Sequence, residues 1–399
     1  MLVQHIDIFC FFSYIHAGLR EGPETYRSLI AEGTPMVHII ALVLIPIALA
    51  FVLRRVWDQE IGVKEFIVML IAPAVIMVGA YQWAKYASLE SIENWNGRIA
   101  AKTHGTQGCC HCRQVCQTCT TRDSKGNTST YSCNCVTVCD HSHDYWWALE
   151  VTTGDRLNVR TCEPDKDDVP QLWTDARIQE PASVPHTYRN YLKADPDSLL
   201  VRGAPARYVD MLPDFPHVHN LYRVNKVLSL GVLIAREWQA GLEEINADLG
   251  AQRQVDITIV VTSVNDPTFA DAVERRWLYG PKNALIIVLG VPEGQRTIAW
   301  ARVVTISRVE ELKIELRDRL TGMSLDEPAK ALELIAASVG TKFVRTPMSE
   351  FEYLAAAATP STGWLVFLYI LDVAGSLLLG YMFSQSDPFN ENWNRRYRF

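Results

Sequence analysis

Three long apolar runs punctuate an otherwise mixed chain. Phe66–Trp83 (FIVMLIAPAVIMVGAYQW) carries no charge and is interrupted only by Pro73 and Gly79; Val37–Leu53 and Trp364–Phe383 have the same character. About 20 apolar residues cross the hydrocarbon of a bilayer as a helix. An internal Pro or Gly is tolerated there, because neighbouring helices satisfy the freed backbone groups. The pattern predicts three membrane helices, with one long insert, Lys85–Gly363, between the second and third. Tyr81, Trp83, Tyr86 and Trp95 gather where the second helix would leave the bilayer, as an aromatic belt does.

Within the insert the period changes twice. From Cys109 to Asp144 the flanks of a polar centre (Asp123–Thr130, with Lys125-Gly126-Asn127 as a turn signal) alternate like strands, predicting a hairpin. From Tyr145 to about His219, short β-like runs (YWWALEVTT, RLNVRTC) are broken by Pro164, Pro170, Pro181, Pro185, Pro196, Pro205, Pro213 and Pro216, which forbid long helices and central strands. Trp146, Trp147 and Trp173 are expected in the core of this small module. Beyond Tyr222 the pattern predicts a helix over Lys226–Leu249 stopped by Gly250 and a buried strand Val255–Thr262. A helix Thr268–Trp277, a buried strand Ala284–Val291 and a more exposed strand Thr297–Ser307 follow, then helices Val309–Leu320 and Pro328–Val344. Alternating apolar strands and helices argue an α/β sandwich. The expected fold is therefore a membrane-anchored α/β protein. It comprises an interfacial arm (1–35), two membrane helices (36–86), a Cys-rich β module with a Pro-rich connector (95–220), an α/β domain (221–345), a third membrane helix (363–384) and a basic cytoplasmic tail (385–399). The arm has neither a basic n-region nor a small-residue cleavage site, so no removable signal is expected.

Charge decides the orientation. Lys and Arg are enriched in cytoplasmic loops; Arg54, Arg55 and Lys64 lie between the first two helices, and Arg395, Arg396 and Arg398 in the tail. With three spans both segments share a side, which places the insert outside, on the periplasmic side if the membrane is a bacterial inner membrane (or the host's, if the chain is phage-encoded). A net charge of −7 without a basic stripe argues against a nucleic-acid partner.

The compartment then bears on the cysteines, eight of which fall between Cys109 and Cys139. Pairing Cys112 opposite Cys139 puts Cys116 opposite Cys135 and Cys110 opposite His141. By period-two alternation, Cys110, Cys112, Cys116, Cys133, Cys135, Cys139, His141 and His143 share one face. In an oxidising compartment that face becomes disulfides, with Cys112–Cys139 and Cys116–Cys135 as candidates. If thiols persist, Cys110, Cys112, Cys116, Cys133, Cys135, Cys139 and His141 could instead hold one or two zinc ions. Thiol exchange through Cys116-Gln-Thr-Cys119 is a third expectation, and Asn127-Thr128-Ser129 matches a glycosylation acceptor.

The segment from Leu242-Glu243-Glu244-Ile245-Asn246-Ala247-Asp248-Leu249 through VDITIVVTSVNDPTFADAVERRWLYGPKNALIIVLG resembles the TPM domain family, named for thylakoid-lumen, photosystem-repair and receptor-modulating members. The remainder is similar to uncharacterised membrane proteins of bacteria and tailed phages. The TPM resemblance implies an extracytoplasmic domain beside a membrane helix and, for some members, phosphatase activity on an acidic metal site. Asp266, Asp271 and Glu274, with Asp256, are the corresponding acids here, although Asp266 also reads as a helix cap. Thr297–Arg302 replaces the family's glycine-containing segment. Asp372, inside the third membrane helix, is expected to hold the helices together against His38 or the Ser376-xxx-Gly380 seam. The function expected is a binding or scaffold module for another membrane or envelope protein, with a phosphatase-like or thiol-redox enzyme, or a zinc-organised module, as alternatives.

Overall fold

The computed structural model describes residues 24–57, 61–122, 128–194, 206–277 and 282–385. Residues 1–23 of the predicted arm, the Lys125-Gly126-Asn127 turn and the basic tail lie outside these. The chain forms two compact units, one of residues 1–90, 189–199 and 348–399, the other of 91–188 and 200–347.

The first unit holds α1 (Glu24–Val56), α2 (Val63–Ser88) and a long C-terminal helix (Thr362–Gln385). Each is long and apolar enough to cross a membrane, α1 through its Pro35–Val56 portion. Their contact is a stripe at helical spacing. On the C-terminal helix the buried residues are Leu368, Asp372, Ser376, Gly380 and Phe383. Leu368 joins Leu42, Met77, Tyr81 and Ala84 in one cluster, and Phe383 joins Ala50, Leu53, Phe66 and Met69 in another. Gly380 lets the helices approach closely at this contact: a Cβ there would meet Leu53 Cδ1 at 2.6 Å, and the Leu53 side chain would have to shift.

Asp372 lies on that stripe with the small-residue seam, but its expected tie to His38 is not made. His38 Nδ1 bonds Tyr369 Oη at 2.9 Å, and neither Asp372 carboxylate oxygen has a hydrogen-bond partner among the described residues. A buried, unpaired polar group costs stability and does not glue. Asp372→Leu should therefore leave helix association intact or tighter, with Asp372→Asn as a volume-matched control. The aggregation temperature of the full-length protein in detergent reads this out, and a clear drop would show that the carboxylate holds something.

The second unit contains two sheets and a ribbon. The first sheet has the order β5–β4–β1–β6, from β1 (Glu90–Gly108), β4 (His143–Val151), β5 (Arg156–Glu163) and β6 (Pro181–Arg189). The central β1 is absent from the sequence pattern, because its buried positions include Asn94 and Asn96 and no apolar alternation marks it. β6 carries Pro181 and Pro185 yet pairs, as an edge strand can. Trp147 is buried and Trp173 packs beside the core formed by Ile99, Leu149 and Val184, its indole N–H donating to Ala148 O at 3.1 Å. Trp95 stacks on His186, with ring centroids 4.0 Å apart. Its ring contact therefore lies within this unit.

The short helices α3 (Gln171–Asp175) and α4 (Ala206–Met211) come before the second sheet in the chain. That sheet has the order β10–β9–β8–β7, from β7 (Val227–Leu230), β8 (Asp256–Thr262), β9 (Ala284–Gly290) and β10 (Trp300–Val304), with the helices α5 (Arg236–Arg253), α6 (Phe269–Trp277), α7 (Glu310–Leu320) and α8 (Pro328–Lys342) around it. β7, β8 and β9 run parallel and β10 antiparallel. Ile257, Ile259, Val261, Leu285, Ile287 and Leu289 face the core shared with α5, α7 and α8, whereas Val260, Ile286 and Val288 face the one shared with α6. One expectation is corrected. Lys226–Leu230 opens no helix; it ends in an edge strand paired with Ile259–Thr262 and is closed by Gly231 at φ +77°. The helix begins only at Arg236 and runs past Gly250, which is buried and so close to Asn96 that a Cβ would meet its backbone O at 2.4 Å.

Candidate functional site

From the first sheet of this unit projects a two-stranded ribbon, β2 (Cys112–Arg122) paired with β3 (Thr128–Cys139). It continues the β1–β4 ladder. The last rung of that ladder is Gly108 opposite His143, and the first rung of the ribbon is Cys112 opposite Cys139. Three residues on each strand, Cys109–His111 and Asp140–Ser142, lie between these rungs, bridged by Asp140 N–H donating to His111 O at 3.2 Å.

Four disulfides secure this region: Cys112–Cys139, Cys116–Cys135, Cys119–Cys133 and Cys110–Cys162. The first two are the pairs that the hairpin register implies. The other two depart from it. The register slips by one residue between Val115 opposite Val136 and Gln117 opposite Cys133, with Asn134 at φ +49° in the slip. Such a bulge moves Cys133 off the face it would share with Cys135 and onto that of Cys119. Cys110, in register opposite His141, turns instead to Cys162 on β5. The proposed zinc set of Cys110, Cys112, Cys116, Cys133, Cys135, Cys139 and His141 is corrected accordingly. Six of its members are bonded sulfurs and only His141 remains free to ligate, because the metal ligand is a thiolate. Cys116 and Cys119 are likewise bonded to different partners and do not form a CxxC couple.

At the gap in the ladder a different set converges. Asp144, fully buried on β4, accepts Cys110 N–H on Oδ2 at 2.5 Å. Its Oδ1 touches His141 Nε2 and lies 3.3 Å from His111 Nδ1. Burial opposes its charge, but the Cys110 N–H and the two imidazoles outweigh that and hold the carboxyl below its ordinary range. Cys109, the free cysteine among the described residues, completes a group of four with His111, His141 and Asp144, whose donor atoms all lie within 4.8 Å of one another. The Cys109 sulfur also lies within 4.8 Å of the Cys112 and Cys139 sulfurs. His143 takes no part; it contacts Ser142 Oγ and Tyr145 Oη. Of this group only His141 is a candidate from the sequence. The signal available there is arithmetic: an odd thiol with a histidine two residues on.

The acidic candidates do not converge in this way. Asp266 caps α6, accepting Thr268 N–H at 3.0 Å and Tyr208 O–H at 3.0 Å. Its carboxyl is held down chiefly by the Thr268 N–H. Asp271 pairs with Arg302 at 3.1 Å. Glu274 lines a groove of about 660 Å³ with Arg302, Lys313 and Arg317, and burial, then Asp271, push its carboxyl up. Asp256 is buried against Lys226 at 2.6 Å. Asp271 and Glu274 share a neighbourhood with Arg302, whereas Asp266 and Asp256 each have their own, and among the described residues the groups able to hold a metal all lie at the base of the ribbon.

No protein-family model matches this chain, and no curated protein does.

Proposed function

We propose that this is an integral protein of a bacterial inner membrane whose middle region lies in the periplasm and docks another envelope protein through the β2–β3 ribbon. One observation carries the reading. The ribbon buries almost none of its residues, yet three disulfides fix it. An isolated two-stranded hairpin is marginal in water, so cross-links that secure no core of their own fit a rigid contact surface. Val115 and Val136 sit opposite each other with Val138 close by, all exposed, on the face opposite the Cys112–Cys139 and Cys116–Cys135 bridges. Disulfide density fits an oxidising compartment, and the lysines and arginines flanking the helices favour the same side. The parallel-stranded unit would then be the TPM-like scaffold that carries the ribbon, with the bilayer as its anchor.

A photo-crosslinking residue placed at Val115, Val136 or Val138 in intact cells tests this. A discrete adduct of one mass should form at these positions and be absent from a control at Ile178, which is equally exposed. No adduct at any of the three would overturn the reading. A second reading keeps zinc, on a different ligand set. It is favoured by the Cys/His/Asp group at the base of the ribbon, where the ion would brace the ribbon rather than build it.

A further inference from the structure

We propose that Cys109 Sγ, His111 Nδ1, His141 Nε2 and Asp144 Oδ1 bind one zinc ion as a closed structural site spanning the gap in the ladder. The inference rests on the zinc reading above and not on the docking one. Its first support is position. Three of the four residues lie in the stretch where β1–β4 pairing gives way to the ribbon, and ligands from both strands would replace the missing cross-strand bonds. Its second support is Asp144. A fully buried carboxylate faces two imidazoles whose ring nitrogens approach the same oxygen. Two donors crowding one oxygen is a poor use of hydrogen bonds and a good start for a metal, which takes one bond from each group. Asp144 Oδ2 stays fixed by the Cys110 N–H, the kind of outer bond that orients a ligating carboxylate.

Donor chemistry selects the ion. A thiolate, two imidazoles and a carboxylate suit zinc, whereas calcium and magnesium take oxygen. The thiolate and carboxylate together cancel the charge of a dication, so the occupied site is neutral where it is most buried. Zinc bonds of ~2.0–2.3 Å put tetrahedral ligands roughly 3.3–3.8 Å apart. The His111–Asp144 separation of 3.3 Å already satisfies this; the His141–Asp144 contact, which is shorter, would open to admit the ion, and the remaining pairs, within 4.8 Å, have about 1 Å to close. His111 is 45% exposed and can swing inward without disturbing a core. Four protein donors leave no open position, which makes the site structural and not catalytic. Ligation would also occupy the one thiol lying beside the Cys112–Cys139 bridge, where a free thiolate could exchange with it.

The test uses the full-length protein in detergent, stripped with chelator and titrated with zinc chloride, then with cobalt chloride. One zinc per chain should survive gel filtration, Cys109 alkylation should fall sharply, and cobalt should give a thiolate charge-transfer band. Loss of an outer-shell partner alone costs a metal site ~10–100-fold in affinity, so Cys109→Ser and His111→Ala should each cost at least that. Both positions lie outside the disulfides, and peptide mapping of the four bridges separates lost metal from lost fold. Failure to retain zinc, retention unchanged in both variants, or alkylation of Cys109 at the same rate with zinc present would each overturn the assignment. A hairpin that still crosslinks its partner would leave the docking proposal standing.

Discussion

Replacing Lys226 by Met should lower the stability of the sheet-bearing unit by about 3–5 kcal/mol, the range for removing one partner of a buried ion pair. Lys226 is 1% exposed at the mouth of β7, and its ammonium lies 2.6 Å from Asp256 Oδ2 at the mouth of β8. Burial pulls the Lys226 pKa down while the carboxylate opposes it. Asn96 donates to Asp256 Oδ1 at 2.9 Å and Asn94 to Oδ2 at 3.3 Å, so the pair also joins β1 of one sheet to the first parallel strands of the other. Without Lys226 the carboxylate keeps only two amide donors. The penalty should therefore be one of stranded charge rather than lost packing. Adding Asp256→Asn to Lys226→Met should restore part of the loss, since a neutral amide still accepts from Asn96. Pulse proteolysis of the full-length protein across a urea series measures both variants. A loss below ~1 kcal/mol, or no recovery in the double variant, would show that the pair is ornamental.

What could be read in the chain beforehand depended on which signal a residue sends. The three long apolar helices declare themselves because about 20 apolar residues in a row are enough to cross a bilayer, and β8 and β9 because short runs dominated by Ile, Val and Leu fit buried parallel strands. β7 is misread for a physical reason. Leu230, Leu233 and Ile234 fit a helical period, and a four-residue strand ended by a left-handed glycine leaves little trace. β1 escapes because its buried side is built from Asn94 and Asn96, which work through hydrogen bonds that hydrophobic periodicity cannot register. In the cysteine block, a regular register is enough for Cys112–Cys139 and Cys116–Cys135. A one-residue bulge conceals Cys119–Cys133, and a sequence separation of 52 conceals Cys110–Cys162. The Cys109–His111–His141–Asp144 group needs all of these at once, since Cys109 becomes the odd thiol only after its neighbours are paired off.

Changing Cys110 and Cys162 together to serine should cost about 3–4 kcal/mol, the closure term for a loop of this size with the other bridges in place. The effect should also differ in kind from that of opening the outer ribbon. Cys119–Cys133 closes a loop of sequence separation 14 within strands that are exposed on both faces, so its removal gives the ribbon freedom without uncovering any core. Hydrogen exchange along β2 and β3 should accelerate while the unit's main unfolding transition hardly moves. Cys110–Cys162 instead ties the gap in the ladder to β5, and the Cys110 backbone N–H holds the buried Asp144 carboxylate. Losing this bridge frees a strand of the four-stranded sheet and loosens the group around Asp144, so the main transition should shift and exchange should rise in β4 and β5 as well. Urea-series proteolysis and hydrogen exchange on the two double variants provide the comparison. If both move the main transition equally, the ribbon is part of the cooperative core, and a projecting contact surface loses its structural basis.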